Sequence, residues 1–138
     1  MSLDLVFTYL ISPAFFHGAL ITLLITVCSL FFGALVGLVI ALLQKTRWRA
    51  AQGATLAYLW LFRGTPVLFQ IIFVYNVLPS FGIRLSAVVC AVLALSLNEG
   101  AYMAEIIRSG LQAIRKGQRT AALALGMFPM DVMRHVVI

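Results

Sequence analysis

The stretch that decides the fold is "GALITLLITVCSLFFGALVGLVIALL", residues Gly18 to Leu43, which contains no charged residue. As an α-helix this stretch is about 39 Å long, enough to cross a hydrocarbon core about 30 Å thick. Within it Gly33, Gly37 and Ala41 recur every four residues on one face. Small residues at that spacing let another helix approach closely. The stretch therefore predicts a membrane-spanning helix that packs against a second one.

The composition of the whole chain agrees with a membrane protein. Of its 138 residues 63% are hydrophobic and 10% are charged, and the mean hydropathy is +1.07. Soluble domains carry about 25% charged residues. The net charge of +6 does not indicate a nucleic-acid partner, because basic residues confined to loops are what membrane topology requires. Cys28 and Cys90 stand alone in apolar runs, and we expect packed or lipid-facing thiols there.

The uncharged run around the opening stretch extends from Asp4 to Lys45, which is too long for one crossing. We expect Pro13 and the His17-Gly18 pair to break it, leaving a short interfacial lead-in and a span over 18–43. Asp4 stands where a secretory signal would carry Lys or Arg, so we expect no cleavable signal peptide.

Two further spans follow along the chain. One covers 65–79 in "PVLFQIIFVYNVLP", bracketed by prolines, and the other covers 85–107. Between the first two spans, "QKTRWRAAQGATLAYLWLFR" is long enough for a helix along the membrane surface. We expect its Trp48, Tyr58 and Trp60 to lie at headgroup depth.

Three spans place the connecting segments alternately on the two sides of the membrane. The basic residues are distributed unequally between these sides. One side receives nine of them and the other receives Arg84 alone. By the positive-inside rule the N-terminus lies outside and the segment from Lys116 to Asp131 lies in the cytoplasm. The nine are Lys45, Arg47, Arg49, Arg63, Arg108, Arg115, Lys116, Arg119 and Arg134.

The third span carries polar residues at hydrocarbon depth. On a helical projection Asn98, Tyr102, Glu105 and Ser109 share one stripe, which Glu99 and Arg108 flank. A carboxylate inside the membrane costs several kcal/mol unless it faces protein or water. Two interpretations stay open: the polar groups satisfy one another inside the bundle, or they line a solute pathway. For Glu105 and Arg108, near the membrane boundary, a local ion pair is favoured.

The segment "KGQRTAALALGMFPMD", Lys116 to Asp131, predicts two short helices joined by a turn. Gly126 can end the first helix in a left-handed cap, and Pro129 can occupy the first turn of the second. Ala121, Ala122 and Ala124 predict a nearly bare helical surface that docks into the groove of a partner, and the apolar contacts are Leu123, Leu125, Met127 and Phe128. The alternative is a helix that rests on lipid.

This segment resembles the cytoplasmic coupling loop of the membrane subunits of bacterial ATP-binding-cassette importers, whose pattern is Glu-Ala-Ala, three residues and Gly. Ala121, Ala122 and Gly126 match that pattern, while Thr120 stands where Glu is usual. "FRGTP", Phe62 to Pro66, and "LNEGAYMAEIIRSGLQAIRKGQ", Leu97 to Gln118, resemble the branch of this family that carries polar amino acids. The likeness covers the chain from His17 onward.

The resemblance implies an all-α integral membrane protein of the MetI-like, five-span type. The chain, 1–138, is then a single permease domain with the first three spans and a coupling loop over 115–131 of a longer subunit in the bacterial inner membrane. The 117–131 elbow, with Thr120, Ala121, Ala122 and Gly126, would contact cytoplasmic ATPase subunits. The implied family motif is Arg63, Gly64, Thr65 and Pro66, and the implied substrate pathway contains Asn98, Glu99 and Tyr102.

The implied partners are a second permease copy or a sister permease, an extracytoplasmic solute-binding protein, a polar amino acid as substrate, and membrane lipid. The chain has no Gly-rich phosphate loop of the Walker type, so we expect it to bind no cofactor and ATP to act in the partner subunit.

The carboxylates of the third span are also compatible with two other functions. An intramembrane Glu also suits an ion-coupled secondary transporter or a channel, which would need an ion gradient and no ATPase. A membrane enzyme using Glu99 and Glu105 is disfavoured, because the two carboxylates lie on different parts of the stripe.

Overall fold

The computed structural model describes residues 3–113 and 116–132, and every regular element in those ranges is helical. The prediction of an all-α fold is therefore confirmed. The helices are α1 (Leu3–Leu10), α2 (Pro13–Gln44), α3 (Arg49–Gly64), α4 (Val67–Val77), α5 (Ala87–Ala113), α6 (Lys116–Ala124) and α7 (Pro129–Val132), with a 3-10 turn over Leu78–Phe81.

The break before the first long helix lies at Ser12 and Pro13. The Ser12 hydroxyl accepts a hydrogen bond from the backbone N–H of Phe15 at 3.3 Å, and Pro13 occupies the first turn of α2. This is the usual arrangement of an N-cap followed by proline. The prediction that His17-Gly18 also breaks the chain is wrong, because α2 continues through both residues. A glycine within a helix costs only about 1 kcal/mol, which flanking turns readily outweigh.

Two helices, α2 and α5, are long and apolar enough to cross a membrane. The α3–α4 pair meets the same criterion as a unit, but it bends by 105° between Gly64 and Val67. Thr65 is extended at the bend (φ −113°, ψ 144°), as expected for a residue that precedes proline. The expected span 18–43 lies inside α2, and the expected span 65–79 overlaps α4 and the 3-10 turn; the limits of the spans in the membrane stay predictions. The third helix begins at Ala87 and continues beyond 107.

The main packing contact of the fold is the crossing of α2 and α5. The buried residues of α2 are Ser29, Gly33, Gly37 and Ala41, which lie on one face. A Cβ added at Gly33 would lie 2.7 Å from the Cβ of Glu99, and one added at Gly37 would lie 2.9 Å from the backbone nitrogen of Ala104. The prediction of close approach at this face is confirmed, and the partner helix is α5.

Helix α3 packs along the C-terminal half of α5. Ala51, Thr55 and Leu59 form its buried face. The hydroxyl of Tyr58 donates a hydrogen bond to the backbone carbonyl of Leu97 at 2.5 Å. The ring of Tyr58 thus follows the buried face and finds an acceptor on α5, while its place at headgroup depth stays a prediction.

The side-chain exposures agree with the prediction for the two cysteines. Trp48, just before α3, and Trp60 in α3 are 69% and 79% exposed, and their place at headgroup depth stays a prediction. Cys90 is buried and Cys28 is half-buried, and both are free thiols.

Candidate functional site

The bend between α3 and α4 is held by a polar network that joins three helices. Gln70 Nε2 donates hydrogen bonds to the backbone carbonyls of Phe62 (3.0 Å) and Thr65 (3.1 Å) and to the Thr65 hydroxyl (2.8 Å). Asn98 Nδ2 donates to the same Phe62 carbonyl (2.9 Å) and to Gln70 Oε1 (3.2 Å). We call Phe62, Thr65, Gln70 and Asn98 the corner network.

The corner network satisfies backbone groups that the bend exposes. A helix end leaves its last carbonyls without intrahelical partners, and Pro66 has no N–H to offer them. Gln70 and Asn98 supply the missing donors, and both side chains are 8% exposed. These contacts correspond to the interpretation in which the polar residues of α5 satisfy one another inside the bundle. A pathway role for Asn98 remains a prediction.

Glu99 lies on a different side of α5 from Asn98. Its Cβ is against Gly33 of α2, whereas Asn98 contacts α3 and α4. Within the described ranges the half-buried Glu99 carboxylate has no hydrogen bond or ion pair. The buried hydroxyl of Ser29, one turn before Gly33 in α2, also has no hydrogen-bond partner among the described residues. The three predicted pathway residues are therefore split between two faces of α5.

The third pathway residue, Tyr102, belongs to a charged group at the C-terminal end of α5. Glu105 accepts hydrogen bonds from Arg108 Nε (3.0 Å) and Nη2 (2.9 Å), which confirms the predicted local ion pair. Arg63 of α3 lies 3.6 Å from Glu105 Oε2, and its guanidinium lies 5.7 Å from the centre of the Tyr102 ring. We call Arg63, Tyr102, Glu105 and Arg108 the arginine cluster.

The arginine cluster lines an open cavity between α3 and α5. The cavity has a volume of about 540 Å³ and includes Leu56 and Trp60 of α3 in its wall. A second cavity of about 400 Å³ on the other side of Glu105 and Arg108 is lined by Gln44, Gln52 and Gln112. The end of α2, the start of α3 and the end of α5 thus meet at one end of the bundle.

The segment after α5 forms the predicted elbow. Gly126 has a φ of +81°. The N–H of Gly126 bonds to the Leu123 carbonyl (3.0 Å) and the N–H of Met127 bonds to the Ala122 carbonyl (3.2 Å). This pair of bonds is a Schellman motif, which ends α6. Pro129 begins α7, and the Val132 N–H bonds to the Phe128 carbonyl (3.0 Å). The left-handed cap and the two short helices are confirmed.

The surface of the elbow differs from the expected bare alanine face. Ala122 is buried, as is Val132, because α6 and α7 pack on each other. Ala121 and Ala124 are exposed, and so are the large apolar side chains Leu125 (84%), Phe128 (75%) and Met130 (78%). The predicted open surface is therefore confirmed at Ala121 and Ala124 and wrong at Ala122, and contact with a partner stays a prediction. The side chain of Thr120 and the residues Arg115 and Arg134 lie outside the described part of the structure.

Sequence reasoning did not single out Gln70, which makes the largest number of contacts in the corner network. The available signal was its position as a lone amide in an apolar helix, four residues after Pro66. A polar side chain at that depth requires a partner. Sequence reasoning did indicate the motif residues Arg63 to Pro66. In the structure Arg63 lies 3.6 Å from Glu105 of α5, and Thr65 accepts hydrogen bonds from Gln70 of α4.

Comparison with known proteins places these features in a family. Residues 33–138 match the model of the binding-protein-dependent transport system inner membrane component. The arginine transport system permease protein ArtQ of Bacillus subtilis is 41% identical over 139 residues, covering 100% of this chain and 64% of ArtQ. The glutamine transport system permease protein GlnP of Escherichia coli is 35% identical over 128 residues, covering 91% of this chain and 58% of GlnP.

A solved structure agrees with these relatives. The crystal structure of an amino acid ABC transporter with histidines superposes with a TM-score of 0.85 and 38% identity, covering 100% of this chain and 64% of the solved one. The chain thus spans about three fifths of the length of these proteins. The fold and the matched range agree, and the chain belongs to the family of binding-protein-dependent transport system inner membrane components.

Proposed function

We propose that this chain is part of the transmembrane subunit of an ATP-driven importer that forms the translocation path for a polar amino acid. Relatives named for arginine and glutamine transport support this substrate class. The subunit acts in the inner membrane without catalysing a reaction itself. A solute-binding protein delivers the amino acid from outside, and cytoplasmic ATPase subunits hydrolyse ATP. A second copy or a sister permease completes the path.

The observation that carries this proposal is the elbow. Leu125, Phe128 and Met130 are among the most exposed large apolar side chains of the molecule, on two short helices that follow the polar end of α5. Burying one such side chain stabilises a contact by roughly 1.5 to 3 kcal/mol. A fixed elbow with several apolar contacts suits insertion into a groove of a protein that moves as a rigid body. Gly126 ends the first helix of this elbow and Ala122 is buried beneath the second, and we assign Thr120 and Ala121 to the same docking segment.

The proposed orientation places the N-terminus outside and the elbow in the cytoplasm. The nine-to-one division of basic residues supports it. The common end of the bundle at Gln44, Gln52 and Gln112 adds support, since the α2–α3 connection and the approach to the elbow then lie on one side. We also propose that Asn98, Glu99 and Tyr102 line the path. The carboxylate of Glu99, which no described residue pairs, is the strongest of the three candidates.

A pair of glycine variants in the complete permease tests the coupling role. In Gly126→Val a side chain must adopt φ near +81°, which costs roughly 1 kcal/mol or more, although space for a Cβ is open. We expect the turn to rearrange, and ATPase binding and ATP-driven uptake to fall together while membrane insertion is kept. The control is Gly117→Ala in α6, where space is also open and no positive φ exists. Normal ATPase co-purification with Gly126→Val would refute the coupling role.

A further inference from the structure

The arginine cluster carries more hydrogen-bond donors than its own carboxylate uses. Arg63 donates no hydrogen bond to any described residue, since its 3.6 Å approach to Glu105 is an ion pair only. Arg108 donates through Nε and Nη2 to Glu105, and its Nη1 donates to no described residue. Two guanidiniums and one carboxylate leave a net charge of +1 on the wall of the cavity. Unused guanidinium donors in a concave site suit an anion with several oxygens, above all a phosphate.

The depth of the cluster corresponds to the edge of the membrane. A hydrocarbon core about 30 Å thick accommodates about 20 residues of an untilted helix. If α5 enters the core at Ala87, it leaves the core near Ile107, between Glu105 and Arg108. With α5 placed in this way, the cavity lies at the depth of the phosphates of one leaflet.

The outer wall of the cavity is apolar. Leu56 is 69% exposed and Trp60 is 79% exposed, and both share the cavity with Arg63 and Arg108. A tryptophan at the membrane boundary prefers the interface between headgroups and acyl chains. The wall thus offers an apolar surface directly beside the guanidiniums. A free amino acid or inorganic phosphate would leave that surface uncovered, whereas a phospholipid would cover it with its acyl chain.

We propose that this cavity binds the phosphate of an anionic phospholipid, with Arg63 and Arg108 as donors and with Leu56 and Trp60 against the acyl chain. Basic pockets between membrane helices recognise anionic headgroups in this way. The proposal depends on membrane insertion and not on the transport role, so it survives failure of the ATPase test above.

Quenching of Trp60 by brominated lipid tests the proposal on the complete permease in mixed micelles. The difference between wild type and Trp60→Phe isolates the signal of this one tryptophan. We expect brominated phosphatidylglycerol to quench that signal at a lower mole fraction than brominated phosphatidylcholine. Arg63→Gln and Arg108→Gln should each reduce this preference about fivefold, the effect of one basic residue on anionic-lipid binding. Arg49→Gln, at the exposed start of α3, is the matched control and should keep the preference.

Competitors identify the source of the bound group. Excess inorganic phosphate and excess arginine or glutamine should leave the quenching unchanged. Displacement by phosphate would show a free-anion site, and displacement by an amino acid would assign the cavity to the solute path; either result overturns the lipid as ligand. Equal quenching by both lipids in the wild type would overturn it as well. The comparison of the two lipids uses the wild-type arginines. It therefore tests the lipid proposal even if an arginine variant fails to fold.

Discussion

The crossing of α2 and α5 gives the sharpest stability prediction. At Gly37 an added Cβ would lie 2.5 Å from the Cβ of Met103, 2.9 Å from the Ala104 nitrogen and 3.1 Å from the Gly100 carbonyl oxygen. Two of these neighbours are backbone atoms, which cannot rotate away as the end of a flexible side chain can. Gly37→Ala therefore requires the two helices to separate at this point.

The size of the effect follows from these distances. Ordinary contacts begin at 3.4 Å, so the helices must part by roughly 0.9 Å at Met103 (3.4 minus 2.5). A gap of that size removes about a quarter to a half of the dispersion energy of each affected atom pair. Overpacking of this kind costs about 1 to 3 kcal/mol, and the better helix propensity of alanine returns up to about 1 kcal/mol. We expect a net loss of about 1 to 2 kcal/mol.

Thermal unfolding of the complete permease in detergent, followed by size-exclusion chromatography, measures this loss. We expect the melting temperature to fall by about 2 to 8 °C. Gly110→Ala in α5 is the matched control, because nothing lies within 4 Å of its added Cβ, and its melting temperature should stay level or rise. If Gly37→Ala melts at or above the temperature of Gly110→Ala, the close crossing does not exist as described.

Three further predictions concern the corner network, the path and the topology. Asn98→Ala leaves the buried side-chain oxygen of Gln70, Oε1, without its donor. We expect this change to destabilise the permease by about 1 to 3 kcal/mol in the same unfolding assay. An unchanged melting temperature would contradict the network. Glu99→Gln should insert as well as the wild type but change the affinity or rate of amino-acid uptake in vesicles, and unchanged kinetics would remove Glu99 from the path. A cysteine beside Arg84 should react with an impermeant reagent from outside, and one at Gly117 only after the cells are opened; the reverse pattern would invert the orientation.

The elements that the sequence predicted well are those with a local cause. The glycine face of α2 follows from a four-residue spacing, the bend at Thr65 from the following proline, and the end of α6 from Gly126. Each depends on residues within one or two helical turns. Local steric rules are sufficient to place such features.

The features that sequence reasoning missed depend on residues far apart along the chain. Tyrosine is a residue type typical of membrane interfaces, but the hydrogen-bond acceptor of Tyr58 is the backbone carbonyl of Leu97, 39 residues later. The partner of Asn98 is Gln70, 28 residues earlier. Ala122 was predicted to be exposed because α6 alone exposes it, and the packing of α7 covers it. A helical projection shows the faces of one helix but not the helix that covers each face.

The corner network has a consequence for the order in which the protein is made. Asn98 donates to the Phe62 carbonyl and to Gln70, and Tyr58 finds its acceptor on Leu97. Asn98 and Leu97 both lie on α5, which leaves the ribosome after α3 and α4. A nascent chain that ends before Asn98 therefore holds an incompletely satisfied bend at membrane depth, and polar groups without partners are costly in lipid. We therefore expect α3 and α4 to reach their final place in the lipid together with α5.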